Sequence, residues 1–149
     1  MGANCKQDCL NLSFPATQVQ ASEGIAILSA RLEKHGLPES KADDVRIALT
    51  EAINNVVEHA YAEISPTDIR INCSLCAKEL IVQIFDSGDP MPGLRVPSSH
   101  PAPVDTDLEN LPEGGFGWYL IHRLSSDIQY ERKDGVNLLY LRFNFDTPH

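Results

Sequence analysis

Apolar and polar positions follow two rhythms along this chain, and the changes of rhythm mark its elements. Leu10 to Phe14 alternates with a period of two and stops at Pro15, which predicts a short first strand. From about Val19 to His35 the rhythm is helical, with Ile25, Leu28 and Leu32 on one face and Gly36 as a stop signal. Pro38 and Ser40 lead into a second, longer helix from about Lys41 to Tyr61, whose buried stripe is Val45, Leu49, Ala52, Val56 and Ala60. After Pro66 the period returns to two. Ile69 to Leu75 alternates, Ala77-Lys78-Glu79 turns the chain, and Leu80 to Phe85 is a nearly continuous apolar run, so the pair is predicted to form an antiparallel hairpin.

Between Ser87 and Pro112 periodicity stops, and the segment carries Pro90, Pro92, Pro97, Pro101, Pro103 and Pro112 with little apolar material. A connection that long inside a compact domain is uncommon and is usually functional or disordered. Order returns at Gly114-Gly115-Phe116-Gly117, followed by a short helix, Trp118 to Leu124. Two last strands, about Asp127 to Arg132 and Asn137 to Phe145, flank the turn Lys133-Asp134-Gly135, and the alternating Leu139, Leu141, Phe143 and Phe145 read as core. The order β, α, α, β, β, long loop, α, β, β predicts an α+β fold. The expected form is a two-layer α/β sandwich, a mixed, mostly antiparallel sheet with about three helices on one face.

Composition narrows the picture. A chain of 149 residues with 42% hydrophobic content suits a single domain, 1–149, with one sizeable core. No apolar run reaches the length of a membrane span, and no apolar stretch follows Met1-Gly2-Ala3-Asn4-Cys5-Lys6, so a cytoplasmic protein without a membrane role is expected. The net charge of −9, with no clustered basic face, argues against direct nucleic-acid binding and suits solubility or a partner with a basic patch. Cys5 and Cys9, with Cys73 and Cys76, have the count for a tetrahedral zinc site. Cys73, however, continues the alternating face of Ile69, Ile71 and Leu75, which makes reduced, structural thiols the expectation.

Three short pieces carry candidate chemistry. Glu51, Asn55 and His59 are spaced four apart, so each is turned only about 40° from the last and they line one side of the second helix beside the buried stripe. A carboxylate and an amide oxygen one turn apart suit a hydrated Mg²⁺ and the orientation of a nucleophile, whereas His59, in a last helical turn, reads as structural. Asp86-Ser87-Gly88-Asp89-Pro90 follows a buried strand directly. An Asp there can accept a hydrogen bond from an exocyclic amine such as that of adenine, and Gly88 lets a flat base approach the backbone. Gly114-Gly115-Phe116-Gly117 opens a helix, where free N–H groups and the helix dipole favour phosphate. The chain has no GxxxxGK[ST] segment and no βαβ unit around the glycines, so neither a P-loop nor a dinucleotide fold is expected.

In this order the pieces resemble a known family. Glu51 to Tyr61, read as ExxxNxxxHxY, is similar to the N-box of the GHKL (Bergerat-fold) ATPases in the form found in anti-sigma-factor serine kinases of the RsbW and SpoIIAB type. Asp86 to Pro90 resembles their DxGxP box, and Gly114 to Ile121 resembles their GGxGLxLI box, with Trp118 where an aliphatic residue is usual. The resemblance implies a homodimer that binds Mg·ATP, sequesters a sigma factor and phosphorylates a serine or threonine of a STAS-domain anti-sigma-factor antagonist. It further implies Glu51 as general base, Asn55 as Mg²⁺ ligand, Asp86 and Gly88 reading adenine, and Gly114, Gly115 and Gly117 around the phosphates. The segment from Met91 to Pro112 would be the ATP lid. The alternative kept open is a protein-binding switch that uses ATP only to set its conformation.

Overall fold

The computed structural model describes residues 7–60, 67–96 and 115–145. Five strands form one sheet: β1 (Asp8–Pro15), β2 (Asp68–Leu75), β3 (Glu79–Asp86), β4 (Asp127–Lys133) and β5 (Val136–Asn144), in the order β1-β2-β3-β5-β4. Every pairing is antiparallel. The helices are α1 (Gln18–Lys34), α2 (Glu39–Asn55) and α3 (Gly115–Leu124), which with the sheet make the expected α+β architecture.

Alternation explains which face of the sheet is covered. Ile69, Ile71, Cys73 and Leu75 of β2, Leu80, Val82 and Ile84 of β3, and Leu139, Leu141 and Phe143 of β5 are buried, while the residues between them are half-buried or exposed. The same apolar cluster takes in Ile25, Leu28 and Leu32 of α1, Val45, Leu49, Ala52 and Ile53 of α2, and Trp118 and Ile121 of α3. One face of the sheet and one stripe of each helix thus close over a shared core, the arrangement expected of a two-layer domain.

The ends of α1 follow from its sequence. Thr17 caps it, its hydroxyl accepting from the Gln20 N–H at 3.3 Å. At the other end Gly36, at φ 112°, lets the Gly36 N–H reach Glu33 O and the Leu37 N–H reach Leu32 O. These are the paired bonds of a Schellman stop, and Leu32 and Leu37 are both buried beneath it.

Two boundaries differ from the sequence expectation. The second helix was expected to run unbroken to Tyr61, but α2 ends at Asn55 and a π-helical turn follows, Val56–Ala60. Asn55 donates its side-chain amide to Glu51 O at 2.9 Å, competing for a backbone acceptor, and the helical register widens immediately afterwards. The even 40° offset therefore stops at Asn55, and His59 is exposed. The last helix was expected to begin at Trp118, but α3 already includes Gly115 and Gly117. Trp118 is buried and belongs to the core, with its ring 6.5 Å from that of His122. Within the long connection a 3₁₀ turn, Pro92–Leu94, is present; the rest of the expected lid, residues 97–112, lies outside the described residues, as do Tyr61 and Cys5. Cys73 points into the core and Cys9, opposite Ser74 at the edge, is exposed, so the two occupy different faces of the sheet.

Candidate functional site

The first and third motifs meet. A Cβ placed on Gly117 would lie 2.6 Å from Glu51 Oε1, 3.6 Å from Glu51 Cδ and 3.7 Å from Asn55 Nδ2. Real Cβ contacts do not come so close to an oxygen, so the first turn of α3 touches the Glu51 carboxylate only because residue 117 has no side chain. Asn55 is buried and Glu51 is half-buried. Asn55 turns its amide nitrogen to Glu51 O, which leaves its side-chain oxygen as the group suited to a cation. Gly115 begins α3, whereas Gly114 lies outside the described residues.

The second motif forms its own polar cluster. Asp86 continues the inward register of Leu80, Val82 and Ile84 at the end of β3, so its carboxylate is buried on the face that the helices cover. Its Oδ2 accepts from the Gly88 N–H at 2.9 Å and from Asn137 Nδ2 at 3.1 Å. Burial raises the pKa of Asp86, while the Asn137 and Gly88 hydrogen bonds and the charge of Arg132 pull it down. Burial wins, which marks a carboxylate held where water does not fully solvate it, as at many ligand sites. Gly88 is also buried, and its carbonyl accepts from Arg132 Nη1 at 2.8 Å and from Asn137 Nδ2 at 3.2 Å.

Asn137, Arg132 and Tyr130 were not singled out by the sequence reading. Asn137 donates to Asp89 O at 3.0 Å as well, and its Oδ1 accepts from the Tyr130 hydroxyl at 2.5 Å and from Arg132 Nη1 at 2.9 Å. The Tyr130 hydroxyl in turn accepts from the Met91 N–H at 3.0 Å. One signal was available: counting back by two from Leu139 places a polar Asn137 on an otherwise apolar buried stripe. A buried amide in that position requires partners.

The sequence matches the histidine kinase-like ATPase domain family over residues 14–143. The serine-protein kinase RsbW of Bacillus mycoides is 32% identical, over 93% of this chain and 86% of the relative. That of Oceanobacillus iheyensis is 26% identical, over 91% and 87%. The chain belongs to the histidine kinase-like ATPase family. Within that ATPase family it is an RsbW-like serine/threonine-protein kinase of the anti-sigma-factor type. The fold agrees: a crystal structure of the RsbU and RsbW domains of Rv1364c from Mycobacterium tuberculosis aligns with a TM-score of 0.65 at 20% identity. That alignment covers 95% of this chain and 33% of the other. The match to the ATPase family spans all three motifs and also Tyr130, Arg132 and Asn137.

Proposed function

We propose that this chain binds Mg·ATP between α2, α3 and the end of β3, transfers the γ-phosphoryl group to a serine or threonine of a STAS-domain antagonist, and sequesters a sigma factor while that antagonist is phosphorylated. The observation that carries the reading is the approach of Gly117 to Glu51, a glycine-kept space beside a carboxylate, at 2.6 Å from a would-be Cβ.

The residues divide the work. Asp86 accepts a hydrogen bond from the exocyclic amine of adenine, and its partly dry setting strengthens that bond. Gly88 keeps the backbone open to the base. Gly114, Gly115 and Gly117 offer backbone N–H groups to the phosphates at the positive end of α3. Asn55 holds Mg²⁺ through its side-chain oxygen, and the ion supplies neutralisation of the phosphate charge. Glu51 takes the proton from the acceptor hydroxyl as general base. In this reading the protein is a homodimer working on cytoplasmic protein partners; among the described residues no helix is long and apolar enough to cross a membrane.

Transfer of labelled phosphate from Mg·ATP to a STAS-domain protein tests this. The wild type is expected to transfer it. Glu51→Ala is expected to be slower by about 10²–10⁴-fold, the usual contribution of a general base, while still binding ATP. Bound ATP that stays intact with every STAS-domain partner would defeat the kinase reading and leave a nucleotide-set binding switch.

A further inference from the structure

Asp86, Asn137 and Arg132 sit side by side in one row across β3, β5 and β4: Asp86 pairs with Asn137, and Asn137 with Arg132. Tyr130 lies one step along the same face, opposite Leu139. Among the described residues, every hydrogen bond of the Asn137 side-chain amide points into this cluster. Its nitrogen faces three acceptors, Asp86 Oδ2, Gly88 O and Asp89 O, and its oxygen faces two donors, from Tyr130 and Arg132. Turning the amide over would set donors against donors and acceptors against acceptors, so its orientation is fixed.

Such an arrangement controls geometry at Asp86. Two donors on Oδ2 fix the plane of the carboxylate, and with it the direction of the other oxygen. Arg132 and Asn137 both hold the Gly88 carbonyl, so the backbone that flanks the carboxylate is fixed as well. Tyr130 extends the cluster to Met91, in the long connection that follows β3, by donating to Asn137 and accepting from the Met91 N–H. Asn137 is 4% exposed, an expensive place for an amide unless its bonds are needed.

We propose that Tyr130, Arg132 and Asn137 are positioning residues that aim Asp86 at the base, so that the β4–β5 hairpin sets the selectivity of the site for an amine-bearing purine and links that selectivity to the connection at Met91. The proposal rests on the reading of Asp86 as the group that meets adenine.

A merely structural role would weaken all nucleotides alike, whereas positioning weakens only the recognition of the amine. The experiment therefore compares the affinities of Mg·ATP and of the magnesium complex of purine riboside triphosphate, which lacks the amine. Wild type, Asn137→Ala and Tyr130→Phe are measured, with circular dichroism and melting to establish folding. Tyr130→Phe removes one hydroxyl and keeps the ring, so it remains informative should Asn137→Ala unfold. The preference for ATP is expected to fall about 10-fold in Asn137→Ala and about 3-fold in Tyr130→Phe, factors in the range of a lost hydrogen bond to a charged or aligned group. Affinity for the amine-free nucleotide is expected to change by less than about 2-fold. A wild type that prefers ATP, with variants that keep the preference or lose both nucleotides equally, would overturn the positioning role alone. A wild type that binds neither nucleotide would overturn the reading of the site together with this one.

Discussion

Gly117 lies where a side chain would strike the Glu51 carboxylate, 2.6 Å from a would-be Cβ. The obstacle is the far end of a flexible side chain, so Gly117→Ala is not expected to unfold the protein. Alanine also favours a helix interior over glycine by about 1 kcal/mol, so melting should be unchanged or slightly higher. The displaced carboxylate, however, no longer meets the acceptor hydroxyl, and phosphoryl transfer should drop by about 10²-fold, the scale of a 1 Å misplacement. Melting and transfer rate measured on the same sample check both halves; a variant with full activity would show that the contact is incidental. Asp86 presents the opposite balance. Its pKa is raised in the fold, chiefly by burial, so its protonated form is the one that folding favours. The stabilising contribution is complete below the ordinary aspartate range and is lost as pH rises through the raised folded value. At neutral pH the ionised carboxylate therefore costs stability in the nucleotide-free protein. Asp86→Asn keeps the size and an acceptor for Gly88 and Asn137. It should melt above wild type near about pH 8, with the gap closing toward about pH 4, while losing selective binding of ATP. Thermal melts across that range decide it, and a variant that melts below wild type at neutral pH would reverse the sign.

At the scale of elements, the β4–β5 hairpin depends on its turn. Asp134 and Gly135 have φ of 52° and 77°, and Lys133 pairs with Val136 around them, which is a two-residue type I′ turn. A Cβ on Gly135 would meet nothing within 4 Å, so Gly135→Ala isolates the cost of the left-handed backbone. The expected loss is about 1 kcal/mol in a denaturant titration; no loss would mean that the turn relaxes to another type. This hairpin was readable before the structure because Asp-Gly stood between two alternating runs. The strands β2 and β5 were readable from alternation, since each buries every second residue, and β3 from its nearly continuous apolar run. Where local chemistry competes with periodicity, the sequence reading failed. The Asn55 side chain engages Glu51 O, and the widened register after it is not encoded in the spacing of Val45, Leu49 and Ala52. Glycine was read as a helix opening rather than as helix, although Gly115 and Gly117 are within α3, where the close approach to Glu51 of α2 favours glycine at 117 despite its poor propensity. The bonds from Tyr130, Arg132 and Asn137 to residues 86–91 join positions 39 to 51 apart in sequence, and no local pattern specifies them. What betrayed Asn137 was only its polarity on an apolar stripe.

Across the whole molecule, the proposed ATP contacts come from α2, α3 and the end of β3, with the β4–β5 hairpin behind the last of these. These elements share the apolar core. A nucleotide held at both ends would tie them together, and any ligand that binds only the folded state stabilises it by mass action. At about 100 times the dissociation constant the gain is about 2.7 kcal/mol, which for a domain of this size raises the melting temperature by roughly 5–10 °C. Two substitutions separate holding the nucleotide from using it. Glu51→Ala should keep nearly the whole thermal gain with Mg·ATP while losing transfer, because the carboxylate acts on the acceptor hydroxyl and not on the nucleotide. Asp86→Asn should lose the gain although it starts from a fold at least as stable at neutral pH. Thermal melts of wild type and both variants, with and without Mg·ATP, give the answer. Should Asp86→Asn retain the full gain, the base would have to be held elsewhere, and the cluster around Asn137 would be a structural brace for the end of β3 rather than a part of recognition.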